Sequence, residues 1–356
     1  MAVRCEQVRL SGYTTLRLGG LARDFVEATT EEDLLASIRT AERAGDRVLV
    51  LGGGSNLVVS DEGFPGTVVH VATRGVETSP AEGPRMRVEA QAGEEWDPFV
   101  ARCVADGLSG VECLSGIPGR IGATPIQNVG AYGQEVAQTI VAVRAYDRST
   151  GDIVALDRAA CGFAYRYSAF KADPDRYVVL AVTFELEDSD ESRPIRYAEL
   201  ARSLGVRPGQ TAPLADVRKA VLDLRASKGM VLDPADPDTR SAGSFFTNPI
   251  LDAEQLADLE RRVKERLGED ADFPRYPEPD GRTKTSAAWL IERAGFAKGH
   301  EMGPVRISTK HTLALTNPGA GSTSDLLALA RQVRDGVKAA FGVVLVNEPV
   351  FVGVHL

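Results

Sequence analysis

The stretch LSGIPGRIGATPIQNVGAYGQEV, running from Leu114 to Val136, constrains this chain more than any other. Gly116, Gly119, Gly122, Gly130 and Gly133 alternate with Pro118 and Pro125, so it has neither the period of a helix nor that of a strand. A long segment of small residues inside a folded domain needs something to offset its ordering, and main chain touching a ligand is the usual means. A second cluster, GGGSN, lies between two β-branched runs in RVLVLGGGSNLVVSD and reads as strand, tight turn, strand. It is not a Walker loop, because no Gly-Lys-Ser/Thr follows. It is not a dinucleotide fingerprint either, because a strand and not a helix comes next. A plain glycine-rich hairpin turn and a nest of amides facing an anion both remain open. Two such loops in one unit suggest a diphosphate-bearing cofactor lying between them.

A chain of 356 residues exceeds one ordinary core, so about two or three domains are expected. TTEEDLLASIRTAERAG carries the start and stop punctuation of a helix over about residues 30–44. WDPFVARCVADG adds a helix, TVVHVAT and RMRVEAQAG add strands, TIVAVRAYDRSTGDIVALD a hairpin turning at Asp147 to Gly151, and RYVVLAVTFELE a long strand. This first half is α+β. Charge and proline gather in EDSDESRPIRYAEL, which reads as an exit from it. Beyond, ADVRKAVLDLRASKG sets Val217, Ala220, Val221 and Leu224 on one helical face, and SAGSFFTNPI restarts extended structure. DAEQLADLERRVKERLG, TSAAWLIERAGF and SDLLALARQVRDGVKAAFG follow as helices, the last with a stripe of Leu326, Leu329, Ala330 and Val333. LALTN and VVLVN are expected as strands on either side of it.

The formal net charge of -9 disfavours nucleic acid as a partner, since that affinity comes from Lys and Arg displacing counterions. Cys5, Cys103, Cys113 and Cys161 lack the spacing of a zinc site or a disulfide framework, which points to a reducing cytoplasm and to no metal. The start lacks a signal pattern, and no apolar run nears the roughly 20 residues of a bilayer span, so membrane insertion is not expected.

Three polar residues stand out for chemistry. In FAYRYSAFK, Arg166 sits between Tyr165 and Tyr167, either stacked so as to present its fork to a carboxylate or engaged in a cation-π contact on a surface strand. Glu348 interrupts the apolar VVLVNEPVFVG, on a turn marked by Asn347 and Pro349 or as a desolvated acid fit for proton work. Ser244, in SAGSFFTNP, is no hydrolase nucleophile: none of His70, His300, His311 and His355 lies in a nucleophile-elbow motif, and GxSxG is absent there. A hydroxyl donating a proton to a nearby carbanion remains, beside the plain alternative of a turn serine. His300 and His311 read as surface or loop residues.

Taken in order along nearly the whole chain, GGGSN, SGIPGRIGATPIQNVGAYGQEV, YRYSAFK, AGSFFTNP and NEPVFVG resemble the UDP-N-acetylenolpyruvoylglucosamine reductase family. The resemblance implies an α+β fold with a two-subdomain FAD-binding region of the vanillyl-alcohol-oxidase/PCMH type and a C-terminal α+β substrate domain. It places the subdomains at 1–72 and 73–212, the substrate domain at 213–345, and a C-terminal strand carrying Glu348 at 346–356. It implies FAD held noncovalently by Gly52, Gly53, Gly54, Ser55, Asn56 and Leu57, together with Ser115, Gly116, Ile117, Pro118, Gly119, Gly122, Ala123, Pro125, Gln127, Asn128, Gly130, Ala131, Tyr132 and Gly133. Neither stretch contains a histidine, the residue through which some flavin relatives attach FAD.

The implied activity is NADPH-dependent reduction of UDP-N-acetylglucosamine enolpyruvate to UDP-N-acetylmuramate by a cytoplasmic monomer. It serves peptidoglycan precursor synthesis and, through it, cell shape and division. Arg166 and Glu348 match the family's pair at the substrate carboxylate, and Ser244 matches its proton donor. Tyr165, Tyr197, Lys228 and Asn248 match substrate-binding positions, Tyr197 belonging to the subgroup whose tyrosine closes over the nucleotide. His311 stands where some relatives have glutamine and is assigned as a substrate contact. The rivals are an oxidase of the same flavin-binding group and a nonenzymatic nucleotide-sugar-binding module.

Overall fold

The computed structural model describes residues 3–356, in two compact units. The first holds the chain through Val8, Ala22–Gly54 and Pro65–Val231, and the second holds Arg9–Leu21, Ser55–Phe64 and Leu232–Leu356.

In the first unit, a four-stranded sheet runs in the order Val3–Arg9, Leu21–Ala28, Phe64–Val71, Val48–Leu51. The helix Glu31–Arg43 begins where Thr30 accepts a bond from the Asp33 amide and acids fill the first turn, and it buries Leu34, Leu35, Ile38 and Ala41. A second, antiparallel sheet runs Asp152–Asp157, Ile140–Asp147, Tyr177–Asp188, Arg85–Gln91, Val76–Pro80. The expected hairpin turns where Asp147 faces Asp152, with Gly151 in the left-handed region. Trp96 and Phe99, from the helix Trp96–Ala105, pack on Phe184 of the long strand to centre this core.

The helix Leu214–Ser227 also belongs to this unit. It packs Val217, Ala220 and Val221 with Ile195, Leu200, Ala201 and Cys113, and Leu224 flanks them. The expected boundary at 213 therefore falls inside the first unit. EDSDESRPIRYAEL is not an exit: the chain folds back, with the Ser192 amide bonding to Ala212 O and the Leu214 amide to Asp190 O.

The second unit is again α+β. Helices Ala253–Leu267 and Thr323–Phe341 both open on capping boxes, Asp252 with Gln255 and Ser322 with Asp325. The stripe Leu326, Leu329, Ala330 and Val333 is fully buried against Leu259, Val263, Leu290 and Ile291.

Two further sequence expectations change. The strands flanking GGGSN do not form a hairpin. Val48–Leu51 runs parallel to Phe64–Val71, while Leu57–Val59 runs parallel to Val350–Val352 in the second unit. The glycines occupy the point where the chain leaves one unit for the other, so no ladder closes across them. VVLVN is extended but forms no regular strand. It meets the irregular 245–247 segment, giving one isolated bridge between Phe246 and Asn347, and the last strand falls instead at Val350–Val352.

Candidate active site

In the first unit the stretch from Ser115 to Gly133 is a chain of short turns with one small antiparallel pair, Gly130–Ala131 on Gln134–Glu135. Buried polar side chains hold it. Glu112, fully buried, accepts from the Gly110 amide at 2.6 Å and from Gln134 Nε2 at 2.7 Å, and Gln134 Oε1 accepts from the Cys113 amide. Asn128, in the left-handed region at φ 42°, donates to Glu135 and to Ala164 O and accepts from the Ala137 amide. At the loop's entrance, Asp97 accepts from the Gly116 amide at 2.6 Å and takes both arms of Arg218 at 2.7 and 2.9 Å. The two glycine stretches meet main chain to main chain: a Cβ on Gly53 would lie 2.7 Å from Gly119 Cα. Only glycine permits that approach.

Arg166 lies at the tip of a two-residue turn closed by mutual bonds between Ala164 and Tyr167, again with a left-handed φ of 52°. Its guanidinium lies 5.4 Å from the centre of the Tyr165 ring and donates to Asn128 O at 3.3 Å and Gly130 O at 2.9 Å. The fork is thus locked onto the glycine loop. Lys171 donates to Arg166 O and to Gln127 Oε1. That bond fixes the Gln127 amide with its Nε2 buried and without an acceptor among the described residues.

Tyr132, Tyr197 and Lys228 come together. The two rings meet edge to face at 5.3 Å, and Lys228 Nζ lies 5.7 Å from the Tyr132 ring centre and 2.6 Å from Glu199. Burial pushes the Tyr132 hydroxyl up to about 12, so it stays protonated and a donor. Arg225, which sequence reading missed, donates to Met230 O, and its buried Nε has no partner among the described residues. A Cβ on Gly116 would lie 2.8 Å from Leu222 and 3.5 Å from that Nε. Its signal was weak: a basic residue in the last turn of a helix usually answers the helix dipole.

In the second unit, Ser244 follows Gly243, which turns left at φ 74°. Phe245 and Phe246 behind it are buried and packed edge to face at 5.2 Å. The Phe245 amide donates to Leu313 O, the Glu348 amide donates to Phe245 O at 2.9 Å, and the Thr247 amide donates to Val346 O. Phe245, the residue after Ser244, is thus the one paired with Glu348, and Ser244 and Glu348 are both half-buried. Among the described residues the Ser244 hydroxyl makes no hydrogen bond. From GGGSN, Asn56 donates to Glu348 O at 3.4 Å and accepts from the Val350 amide, and Leu57 pairs with Val350. Asn248 takes the Ala287 amide at the start of the helix Ala287–Arg293. His311 sits in a loop held by Ser308 Oγ. Tyr165 and Arg166 belong to the first unit, and Ser244, Asn248, His311 and Glu348 to the second.

The donor set of the first unit fits a flavin dinucleotide. It offers a buried amide at Gln127 lacking an acceptor, a buried Arg225 nitrogen beside Gly116, and glycine main chain too close-packed for side chains. All four cysteines are free, and burial pushes the Cys103 and Cys161 thiols up to about 12, which leaves them inert. Among the described residues no helix is long and apolar enough to cross a membrane, and no group of three or more metal-ligating side chains gathers.

Residues 22–157 match an FAD binding domain, and residues 234–352 match the UDP-N-acetylenolpyruvoylglucosamine reductase C-terminal domain. A UDP-N-acetylenolpyruvoylglucosamine reductase of Thermobifida fusca is 63% identical over 351 residues, covering 99% of this chain and 98% of its own length. One from Streptomyces avermitilis is 59% identical over 348 residues, covering 98% and 94%. The crystal structure of UDP-N-acetylenolpyruvylglucosamine reductase from Thermus caldophilus aligns with a TM-score of 0.65 at 25% identity over 99% of both chains.

Proposed function

Because the chain belongs to the UDP-N-acetylenolpyruvoylglucosamine reductase family, we propose that it reduces UDP-N-acetylglucosamine enolpyruvate to UDP-N-acetylmuramate at the expense of NADPH, in peptidoglycan precursor synthesis. FAD, when bound, supplies the relay that carries hydride from NADPH to the enol-ether carbon. The residues assigned to hold it are Gly52 to Leu57 and the Ser115 to Gly133 loop, in a region of the vanillyl-alcohol-oxidase/PCMH type, with Gln127 and Arg225 as added donors. The absence of histidine from both stretches supports noncovalent attachment.

Reduction at one carbon leaves negative charge on its neighbour and on the adjoining carboxylate. Arg166 is assigned to that carboxylate, with its orientation already fixed by Tyr165 and the loop carbonyls. A preorganised donor of this kind is worth about 3–4 kcal/mol in the transition state. Glu348, protonated or sharing a proton, is assigned to the same carboxylate as a donor. Ser244 delivers the proton to the second carbon. Tyr165, Tyr197, Lys228, Asn248 and His311 are assigned to the substrate, with Lys228 at its diphosphate.

A cytoplasmic monomer is part of this reading, and the four free thiols suit a reducing compartment. In it the first unit carries the flavin region and the second the substrate domain. Cell shape and division depend on the product.

The observation that carries the reading is Ser244. Its hydroxyl has no internal hydrogen bond among the described residues, and the next residue, Phe245, is the one paired with Glu348. Ser244→Ala should leave flavin bound and its reduction by NADPH nearly intact, while reoxidation by the enolpyruvyl sugar slows by at least about 10²-fold. Stopped-flow measurement of the two half-reactions checks this. Equal loss in both rejects the assignment.

A further inference from the structure

Lys228 closes the helix Leu214–Ser227, and its ammonium is engaged twice. Glu199 Oε2 lies 2.6 Å from Nζ, and the face of Tyr132 lies 5.7 Å away. The ion pair is only partly screened by solvent, the two side chains being 29% and 38% exposed. Glu199 stands in the first turn of the helix Ala198–Leu204, two residues beyond Tyr197, whose ring packs on Tyr132. One short element thus brings a carboxylate to the cation and packs a ring against Tyr132, whose face holds that cation. The two contacts differ in kind. A ring face steers an ammonium but leaves its charge available, whereas a carboxylate neutralises it.

We propose that Glu199 is an internal placeholder for the nucleotide's diphosphate. Its carboxylate neutralises Lys228 until a diphosphate takes its place, and it sets the anionic charge that a ligand must bring in order to bind. This rests on the assignment of Lys228 to the diphosphate. A lone ion pair still partly in water is worth little, so a multiply charged phosphate displaces a single carboxylate at low cost, while a neutral or singly charged group gains little from the exchange. Tyr132 keeps the ammonium in position when the carboxylate leaves. Glu199 then penalises each ligand that displaces it by the strength of the pair forfeited, a cost that a weakly charged group does not recover.

The test is isothermal titration of the flavin-loaded enzyme with UDP and with uridine, in the natural protein, Glu199→Gln, Glu199→Asp and Lys228→Met. Glu199→Gln should bind UDP about 2- to 5-fold tighter, the strength of such a pair, while Glu199→Asp stays near the natural value. A purely structural role for Glu199 predicts the opposite sign, so tighter binding is diagnostic. Lys228→Met should weaken UDP and leave uridine unchanged. Unchanged or weaker UDP binding by Glu199→Gln, with Lys228→Met weakened, overturns the placeholder and leaves the Lys228 assignment standing. UDP binding unaffected by Lys228→Met overturns both.

Discussion

In the first unit, Asn128, Tyr132 and Arg166 all hold left-handed backbone, whereas in the second, Ser244 and Glu348 do not, and only Gly243 beside them turns left. Each such residue other than glycine costs about 1–3 kcal/mol and persists only where its surroundings over-determine it. Around Asn128 that work is done by hydrogen bonds: its side chain makes three, and the Arg166 guanidinium makes two more to the same loop. Around Ser244 it is done by apolar burial, with Phe245 and Phe246 each 1% exposed beneath the segment. A surface that grips a ligand with its own main chain must be bent and then pinned. A surface that offers a hydroxyl and a carboxyl needs only to carry two side chains, and hydrogen-bonded segments on a packed core do that without strain.

The contrast breaks first at Phe246. Phe246→Ala removes a buried ring and should cost the second unit about 3–5 kcal/mol. Each unit contains one tryptophan, Trp96 in the first and Trp289 in the second, so single-tryptophan versions separate their unfolding. The Trp289 transition should fall well below the Trp96 transition in denaturant. Equal shifts in both would show that packing specifies the two regions alike. In the first unit, Gly53→Ala should act through the ligand instead. A Cβ 2.7 Å from Gly119 Cα meets backbone, which cannot swing aside, and a clash of about 1–3 kcal/mol corresponds to roughly 5- to 150-fold in affinity for flavin. Visible absorbance after gel filtration reads this directly. Flavin retained at the natural ratio would remove the glycine contact from the binding surface.

The same contrast decides what the sequence could reveal. Helix Glu31–Arg43, the Asp147 turn and the Leu326 to Val333 stripe were legible because periodicity and caps act locally. The glycine loop stood out because its glycines and prolines fit neither the helical nor the strand period, even though Ile121 within it is buried in the core. The pairing across GGGSN was not, since an apolar run does not name its partner and the partners proved to be Phe64–Val71 and Val350–Val352. The break expected at 213 failed for a related reason. Charge and proline mark an exposed turn, yet the next helix still carried an apolar face that packs on Leu200 and Ala201. Arg225, Asp97 and Glu199 escaped because a single charged residue on a helix reads as solvated until its partner, far away in the chain, is known. Roles for Tyr197 and Lys228 came from family likeness alone, and their meeting at Tyr132 is a fact of the fold.

The smallest expected effect tests whether the first unit is pinned by charge as well as by geometry. Burial raises the pKa of the Asp97 carboxyl, but the Arg218 fork and the Gly116 amide together outweigh it and hold the group below its ordinary value. A depressed carboxyl pKa contributes stability above the unfolded value of about 3.9, and that contribution is lost as pH falls through the folded value. Asp97→Asn keeps an acceptor for Gly116 but cannot answer Arg218, so it should cost about 1–2 kcal/mol at neutral pH, the worth of hydrogen bonds to a charged group. The gap between natural protein and variant should then close as pH drops below about 4, because the natural carboxyl loses its charge there while the amide has none to lose. Phe246→Ala has no ionisable group in play and should keep its penalty across that range. Urea titrations at neutral and acid pH compare the two. An Asp97→Asn penalty that persists unchanged into acid would mean that shape alone, and not the ionised carboxylate, holds the entrance of the glycine loop.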